Sequence, residues 1–224
     1  MHCLSRSSRY AWPILSAKLR AVERRTGPRI RATAQFGQDR SYQSALNLHC
    51  ATRRLDLKEN EPVKRLSIRS AKPEDAASII HVHYAAVHGI GPEFYPPEVI
   101  EDWSRKPDEA RYKWMRELIA QGESIVIVGE EQSSILGFGI VIPKLMELQA
   151  LYVSPAASGQ GVGPAILREL ENRAASQGIA RLQLNASLNA AVFYRRHGYE
   201  TLSHSALRLS DEHEMECIRM GKDL

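Results

Sequence analysis

The 224-residue sequence predicts an α+β domain with a mixed sheet, preceded by a flexible, basic N-terminal extension. Three observations lead there. From Leu66 onward, segments of strand and helix pattern follow in the order strand, helices, three strands, helix, strand, helix, two strands, without the strict alternation of a doubly wound sheet. That part, residues 66–224, is long enough to bury a sizeable core. Residues 1–65 show neither helical nor alternating periodicity, and their scattered apolar groups (Trp12 to Leu15, Phe36, Leu46, Leu48) are too few to offset the entropy of ordering the chain.

Leu66-Ser-Ile-Arg69 alternates apolar and polar, the pattern of a half-buried strand. Pro73-Glu-Asp75 supplies the proline and acidic groups of a first helical turn, and Ala76, Ile79, Ile80, His83 and Val87 follow at helical spacing until Gly89-Ile-Gly-Pro92. A second helical region covers residues 97–121, broken near Pro107, with Val99, Ile100, Trp103, Trp114, Met115 and Leu118 as its apolar positions. Three strands come next: residues 124–128, then a turn at Gly129-Glu-Glu-Gln-Ser133; residues 135–142, closed by Pro143; and residues 145–153, closed by Pro155. Closely spaced glycines then open a helix with Ile166, Leu167, Leu170 and Ala174 on one face and Gly178 as its natural C-terminal stop. A strand over 181–186, a short helix over 189–196 and strands near 199–205 and 214–220 complete the chain.

Composition narrows the function classes. The 43% hydrophobic and 25% charged content is that of a soluble globular protein, and no stretch approaches the ~18 apolar residues of a membrane helix. Cys3, Cys50 and Cys217 are odd in number, far apart and without metal-ligand spacing, which excludes a disulfide framework and a zinc ribbon and suits a reducing compartment. With no secretory signal, because the apolar run at Trp12 to Leu15 is short and holds Pro13, the expected location is cytoplasmic. The Arg- and Ser-rich start, Met1 to Arg9, also has transit-peptide composition, but the plainest reading of residues 1–65 is a dispensable leader, with translation beginning near Val63. Of 30 Lys/Arg and 26 Asp/Glu, 14 and 5 fall in residues 1–65, leaving 16 and 21 for the remainder. The basic balance belongs to the leader, so no nucleic-acid partner is expected for the main domain.

The most informative stretch is Leu148-Gln-Ala-Leu-Tyr-Val-Ser-Pro155 followed by Ser158-Gly-Gln-Gly-Val-Gly163. A strand passes through a short loop into glycines and a helix start, where backbone N–H groups and the helix dipole favour a phosphate or pyrophosphate. The spacing fails the dinucleotide fingerprint, since its third glycine position falls on Pro164 or Ile166, and no Gly-Lys-Ser/Thr of a P-loop occurs. On these residues alone, a purely structural strand-to-helix turn stays open.

Taken with Ala186-Ser-Leu-Asn-Ala-Ala-Val-Phe-Tyr-Arg-Arg-His-Gly-Tyr199, residues 66–220 resemble the GNAT superfamily of acyl-CoA-dependent N-acetyltransferases. The Leu-Tyr-Val-x-Pro strand end, the Gly-x-Gly-x-Gly helix start and the Tyr-x-x-x-Gly-Tyr element stand in family order and spacing. His88-Gly, Phe94-Tyr-Pro-Pro97 and Trp103 further resemble small bacterial acetyltransferases of undefined substrate. The resemblance implies a mostly antiparallel central sheet flanked by helices over residues 66–224, acetyl-CoA as co-substrate, no metal, a small-molecule or peptide amine as acceptor, and room for a homodimer. Three departures stand out: Ser158 occupies the position where the family carries Gln or Arg, Pro164 removes one backbone N–H from the anion site, and Ser187 takes the position where many members carry Asn, remaining a competent helix N-cap.

The implied mechanism needs a neutral amine, donors for an oxyanion and an acid for the departing thiolate. The resemblance implies that strand 145–153 splays from strand 181–186, so that Leu151, Tyr152 and Val153 pair with the pantetheine arm and the Leu151 N–H is the oxyanion donor. Ser158, Gly159, Gln160, Gly161, Val162 and Gly163 are the phosphate contacts it implies, with Ser187 at the last helix. It also makes Tyr194 the general acid; otherwise Tyr194 is a core aromatic beside Phe193, and Phe193 and Tyr199 read as core. Glu147 is the candidate general base, because Glu147, Gln149, Leu151 and Val153 share one face of a regular strand; its alternative is a solvated strand residue, and Gln149 could equally orient the substrate. His81, His83, Tyr84 and His88 lack metal-ligand spacing, and they read as ordinary surface or core residues, although Tyr84 and His88, four apart, could line an amine pocket. Trp103 and Trp114 read as packing, and Cys217 as a buried small hydrophobe. The competing function is a non-catalytic acyl-CoA-binding regulatory module, which keeps the phosphate turn but needs neither Tyr194 nor a base.

Overall fold

A computed structural model describes residues 66–224. The expectations for the leader, its disorder, targeting and start near Val63, fall outside the described residues. Along the described chain run β1 (Ser67–Ser70), α1 (Ala76–Ile90), α2 (Pro97–Trp103), α3 (Glu109–Gln121), β2 (Ile125–Glu131), β3 (Ser134–Ile142) and β4 (Glu147–Val153). Then follow α4 (Val162–Ser176), β5 (Arg181–Ser187), α5 (Ala191–Arg196), β6 (Glu200–Arg208) and β7 (Glu214–Asp223). The strands form one sheet in the order β1-β2-β3-β4-β5-β7-β6, antiparallel throughout except for the central β4–β5 pair. The fold is the expected α+β plan with a mixed, mostly antiparallel sheet.

Each face of the sheet buries its own set of apolar side chains. On one face α4 presents Ile166, Leu167 and Leu170 to Ile127, Val141, Leu148 and Leu184. On the other, Ile79 and Ile80 of α1 and Met115 of α3 cover Val128, Phe138 and Ile140. A third cluster, at the end of the sheet near β6 and β7, joins Tyr95, Val99, Ile100 and Trp103 to Leu209 and Met215. The helix limits follow local chemistry: Asp108 accepts the Arg111 N–H at 2.8 Å as N-cap of α3, and Gly122 at φ +67° ends that helix.

Three local expectations need correction. β4 begins at Glu147 rather than 145, because Pro143–Leu145 forms a 3-10 turn and Met146 takes a left-handed φ of +51°. Ser187 is not a helix N-cap: it is the last residue of β5, paired with Cys217, and Ala190 is the cap of α5. The common face of Glu147, Gln149, Leu151 and Val153 does not exist either. Pairing steps from Ile140↔Ala150 to Val141↔Leu148, so Gln149 is the extra residue of a β-bulge. The bulge reverses the alternation, leaving Leu148 and Leu151 on the α4 side and Ala150 and Tyr152 on the α1 side.

Candidate active site

β4 and β5 run parallel but touch only at Glu147↔Gln183, where the Gln183 N–H donates to Met146 O at 3.0 Å. Beyond that point the strands diverge. The direction of the β4 backbone can be worked out from its other neighbour. The Ser154 N–H donates to Leu136 O at 2.8 Å, and antiparallel alternation then puts Tyr152 and Ala150 in the bonded pairs with Phe138 and Ile140. Leu151 and Val153 therefore turn their N–H and C=O away from β3, into the gap toward β5.

That gap is a cleft of about 520 Å³, counted with the solvent at its mouth. Of the residues singled out in the sequence, it brings together Glu147, Leu151, Tyr152, Ser187 and Tyr194. Val153, the last residue of β4, does not line it, and neither do residues 158–163, which lie past the end of that strand. There Ser158 closes a 3-10 turn, and Gly159 and Gly161 take φ of +76° and +81°, which L side chains rarely adopt. The Gln160 N–H donates to Ala157 O at 3.4 Å and its side-chain Nε2 to Ala156 O at 2.9 Å, so this amide braces the loop. Val162 and Gly163 start α4 with N–H groups that have no acceptor within the helix, while Pro164 contributes none. A Cβ on Gly163 would lie 3.6 Å from Phe193 of α5 and from Val153 of β4, so the glycine turn sits against the elements that bound the cleft.

Tyr194 is buried, at 7% exposure, on the inner face of α5. Burial, with the Tyr152 hydroxyl adding to it, holds its phenol above the ordinary tyrosine range, so it carries its proton at neutral pH. Tyr152 enters from β4, stacked on Phe138 and edge-on to His83, and its hydroxyl accepts the Trp103 indole N–H at 3.0 Å. Among the described residues, Glu147 is the one charged side chain in the lining. The helix-α1 residues are elsewhere: Tyr84 and His88 stack on each other at 4.0 Å, and His88 Nε2 donates to Ser104 O at 2.7 Å. Among the described residues, no group of three or more His, Cys, Asp or Glu could hold a metal ion.

Sequence reasoning missed several lining residues. Trp103, read as packing, is buried and also faces the cleft. Asn185, Leu207 and Met215 join it only through the β5–β7–β6 register, which no local pattern announces. Gln149, singled out in the sequence as able to orient the substrate, does line it, reached through the bulge rather than by strand alternation.

Comparison with known proteins decides the family. The model of the acetyltransferase (GNAT) domain matches residues 94–215, more than half of the chain and every residue that lines the cleft. The chain belongs to the GNAT acetyltransferase family. A curated relative, the uncharacterized N-acetyltransferase YjcF of Bacillus subtilis, is 33% identical over 87 residues, 39% of this chain and 62% of its own length. The chain thus spans under two thirds of that relative. Among solved structures, a GCN5-related N-acetyltransferase from Rhodopseudomonas palustris superposes with a TM-score of 0.64 at 24% identity, covering 74% of this chain and all of its own. The PaiA N-acetyltransferase of Thermoplasma acidophilum, solved in complex with coenzyme A, gives 0.59 at 20% identity, covering 71% and 99%. Both likenesses concern the fold. Within this GNAT domain the matched segment carries β2 to the start of β7, hence both diverging strands. No helix of the described residues is long and apolar enough to cross a membrane.

Proposed function

We propose that the protein transfers an acetyl group from acetyl-CoA to a primary amine by direct attack, without a covalent enzyme intermediate. The observation that carries this reading is the divergence of β4 from β5, which frees the backbone groups of Leu151 and Val153 on the β5 side and opens, beside Leu151, a cleft holding a buried, protonated tyrosine. A second support is that the PaiA relative was solved with coenzyme A.

In this reading Leu151 and Val153 receive the pantetheine amides as an added strand. The turn Ser158 to Gly163 and the start of α4 hold the diphosphate, with Gly159 and Gly161 supplying the left-handed backbone that the loop takes. The Leu151 N–H donates to the oxyanion as the amine attacks the thioester carbonyl. Glu147 takes the proton lost by the amine, directly or through a water, and Tyr194 gives its proton to the thiolate as the carbon–sulfur bond breaks. Glu147 shares the Tyr152 side of β4, so the acceptor enters past α2 and the β6–β7 end, away from the glycine turn.

The test is thiol release by the full chain with acetyl-CoA and a panel of alkylamines, amino acids and short peptides, alongside calorimetric titration with coenzyme A. Amine-dependent thiol release is expected. Coenzyme A binding with no turnover on any amine would replace this reading by the regulatory module, and no binding at all would remove both.

A further inference from the structure

The segment that walls the acceptor side of the cleft is fastened by polar groups that the proposed chemistry does not use. Asp102 stands next to Trp103 at the end of α2 and reaches across to the loop between β6 and β7. Its Oδ2 accepts from Ser210 Oγ at 2.6 Å and from His213 Nδ1 at 2.7 Å, while Arg105 approaches Oδ1 at 3.6 Å. Ser210 Oγ in turn accepts the N–H groups of His213 at 3.1 Å and Glu212 at 3.3 Å, and the loop is closed by the Leu209 N–H on His213 O at 3.0 Å. A nucleophilic triad is excluded by this arrangement. Serine and histidine both address the same aspartate oxygen, so the imidazole does not stand between hydroxyl and carboxylate as a base must.

The two elements joined here both feed the cleft. α2 supplies Trp103, whose indole N–H holds the Tyr152 hydroxyl, and the β6–β7 hairpin supplies Leu207 and Met215. A parallel tie, Tyr95 Oη, donates to Glu216 O at 2.8 Å and accepts the Leu188 N–H at 2.7 Å. We propose that Asp102, His213 and Ser210 form a latch that positions Trp103 on Tyr152 and so sets the acceptor wall of the cleft. The acceptor role rests on the function proposed above; the latch itself does not.

The latch is sensitive to pH in a definite direction. The bond to Asp102, with Glu212 and Glu98 nearby, holds His213 above the ordinary histidine value of 6.5. Asp102 is held below 3.8, mainly by Ser210, against the effect of burial, and then by His213 and Arg105. A raised histidine contributes fully below 6.5 and loses its contribution as pH rises through its folded value; a lowered aspartate contributes above 3.8 and loses it in acid. The latch is therefore tightest between the aspartate and raised histidine values.

The experiment follows the Trp103 indole N–H of the uniformly ¹⁵N-labelled full chain, assigned with Trp103→Phe. In the native chain this resonance should shift with the titration of His213, whose own ring signals should report a pKa above 6.5. Asp102→Asn should return His213 toward its ordinary value and speed exchange of the indole proton about tenfold. His213→Gln, at a side chain 31% exposed and so tolerant of change, should abolish the pH dependence without unfolding the domain. An indole signal unmoved by both variants, or one that follows pH equally in His213→Gln, overturns the latch. Titration of the same samples with coenzyme A separates the two ideas: intact binding with an unmoved indole sinks only the latch, whereas a latched indole with no binding sinks only the proposed function. Where an amine is turned over, Asp102→Asn should raise its KM severalfold and change kcat less than twofold.

Discussion

In the proposed reaction Tyr194 is the group that gives its proton to the thiolate. Its phenol is kept protonated by burial, and this is what a proton donor to a thiolate requires. The same burial makes it part of the core, packed edge-on against Phe193 and Tyr199 at 5.2 and 5.5 Å. The two roles are separable, since phenylalanine keeps the ring and loses only the hydroxyl. Tyr194→Phe should lower kcat by about 10²–10⁴-fold, the usual worth of a general acid, and leave coenzyme A affinity within about twofold. Steady-state thiol release and calorimetry on the same preparation check this. An unchanged kcat would return Tyr194 to the purely aromatic role that its neighbours already fill.

The element that positions the glycine turn is α4, and its distance from the sheet is set by residues without side chains. At Gly139 of β3, a Cβ would meet Leu170 Cδ1 at 2.5 Å, Ala150 O at 3.1 Å and Ile166 Cγ2 at 3.1 Å. The leucine tip can turn aside, but the Ala150 carbonyl and Ile166 must each give by a few tenths of an ångström, which spreads β3 from β4 and lifts α4 off the sheet. Gly139→Ala should therefore cost about 1–3 kcal/mol, the range for overpacking a filled core, read as a lower urea midpoint. It should also weaken coenzyme A binding, because α4 carries the N–H groups of Val162 and Gly163. A variant with native midpoint would mean that this close approach is not limiting. Elements of this kind were legible beforehand: the apolar stripe Ile166, Leu167, Leu170 and the glycines before it gave α4 its place and its face. The bulge at Gln149 was not, because it exists only in the pairing of β4 with β3, and a period-two reading of β4 put Glu147 beside Leu151 where the chain turns it toward Tyr152. For the same reason Trp103 gave its packing in the sequence but not its hydrogen bond. That bond depends on a contact 49 residues away.

At the scale of the whole molecule, stability and site meet at His83. Its ring is fully buried beneath Tyr152, in contact with Ser104 Oγ at 2.9 Å and with the Arg111 guanidinium at 3.3 Å. Burial, then the positive charge of Arg111 and the nearby His88, hold it neutral well below 6.5. The sign follows from linkage. Below pH 6.5 the unfolded chain takes a proton at this residue and the folded chain does not, so acid favours unfolding, by as much as about 1.4 kcal/mol per pH unit. His213 opposes this only near pH 6.5, because further down its raised value leaves it protonated in both states. Asp75 joins only in stronger acid: burial pushes its carboxyl up, but the Arg69 fork at 2.7 and 3.0 Å and the Lys72 N–H outweigh that and keep it below 3.8. Urea unfolding of the full chain between pH 6.5 and 4.5 should therefore lose stability steadily, and His83→Gln should flatten that slope whatever it does to stability at pH 7. An equal slope in the variant would assign the acid sensitivity to other groups.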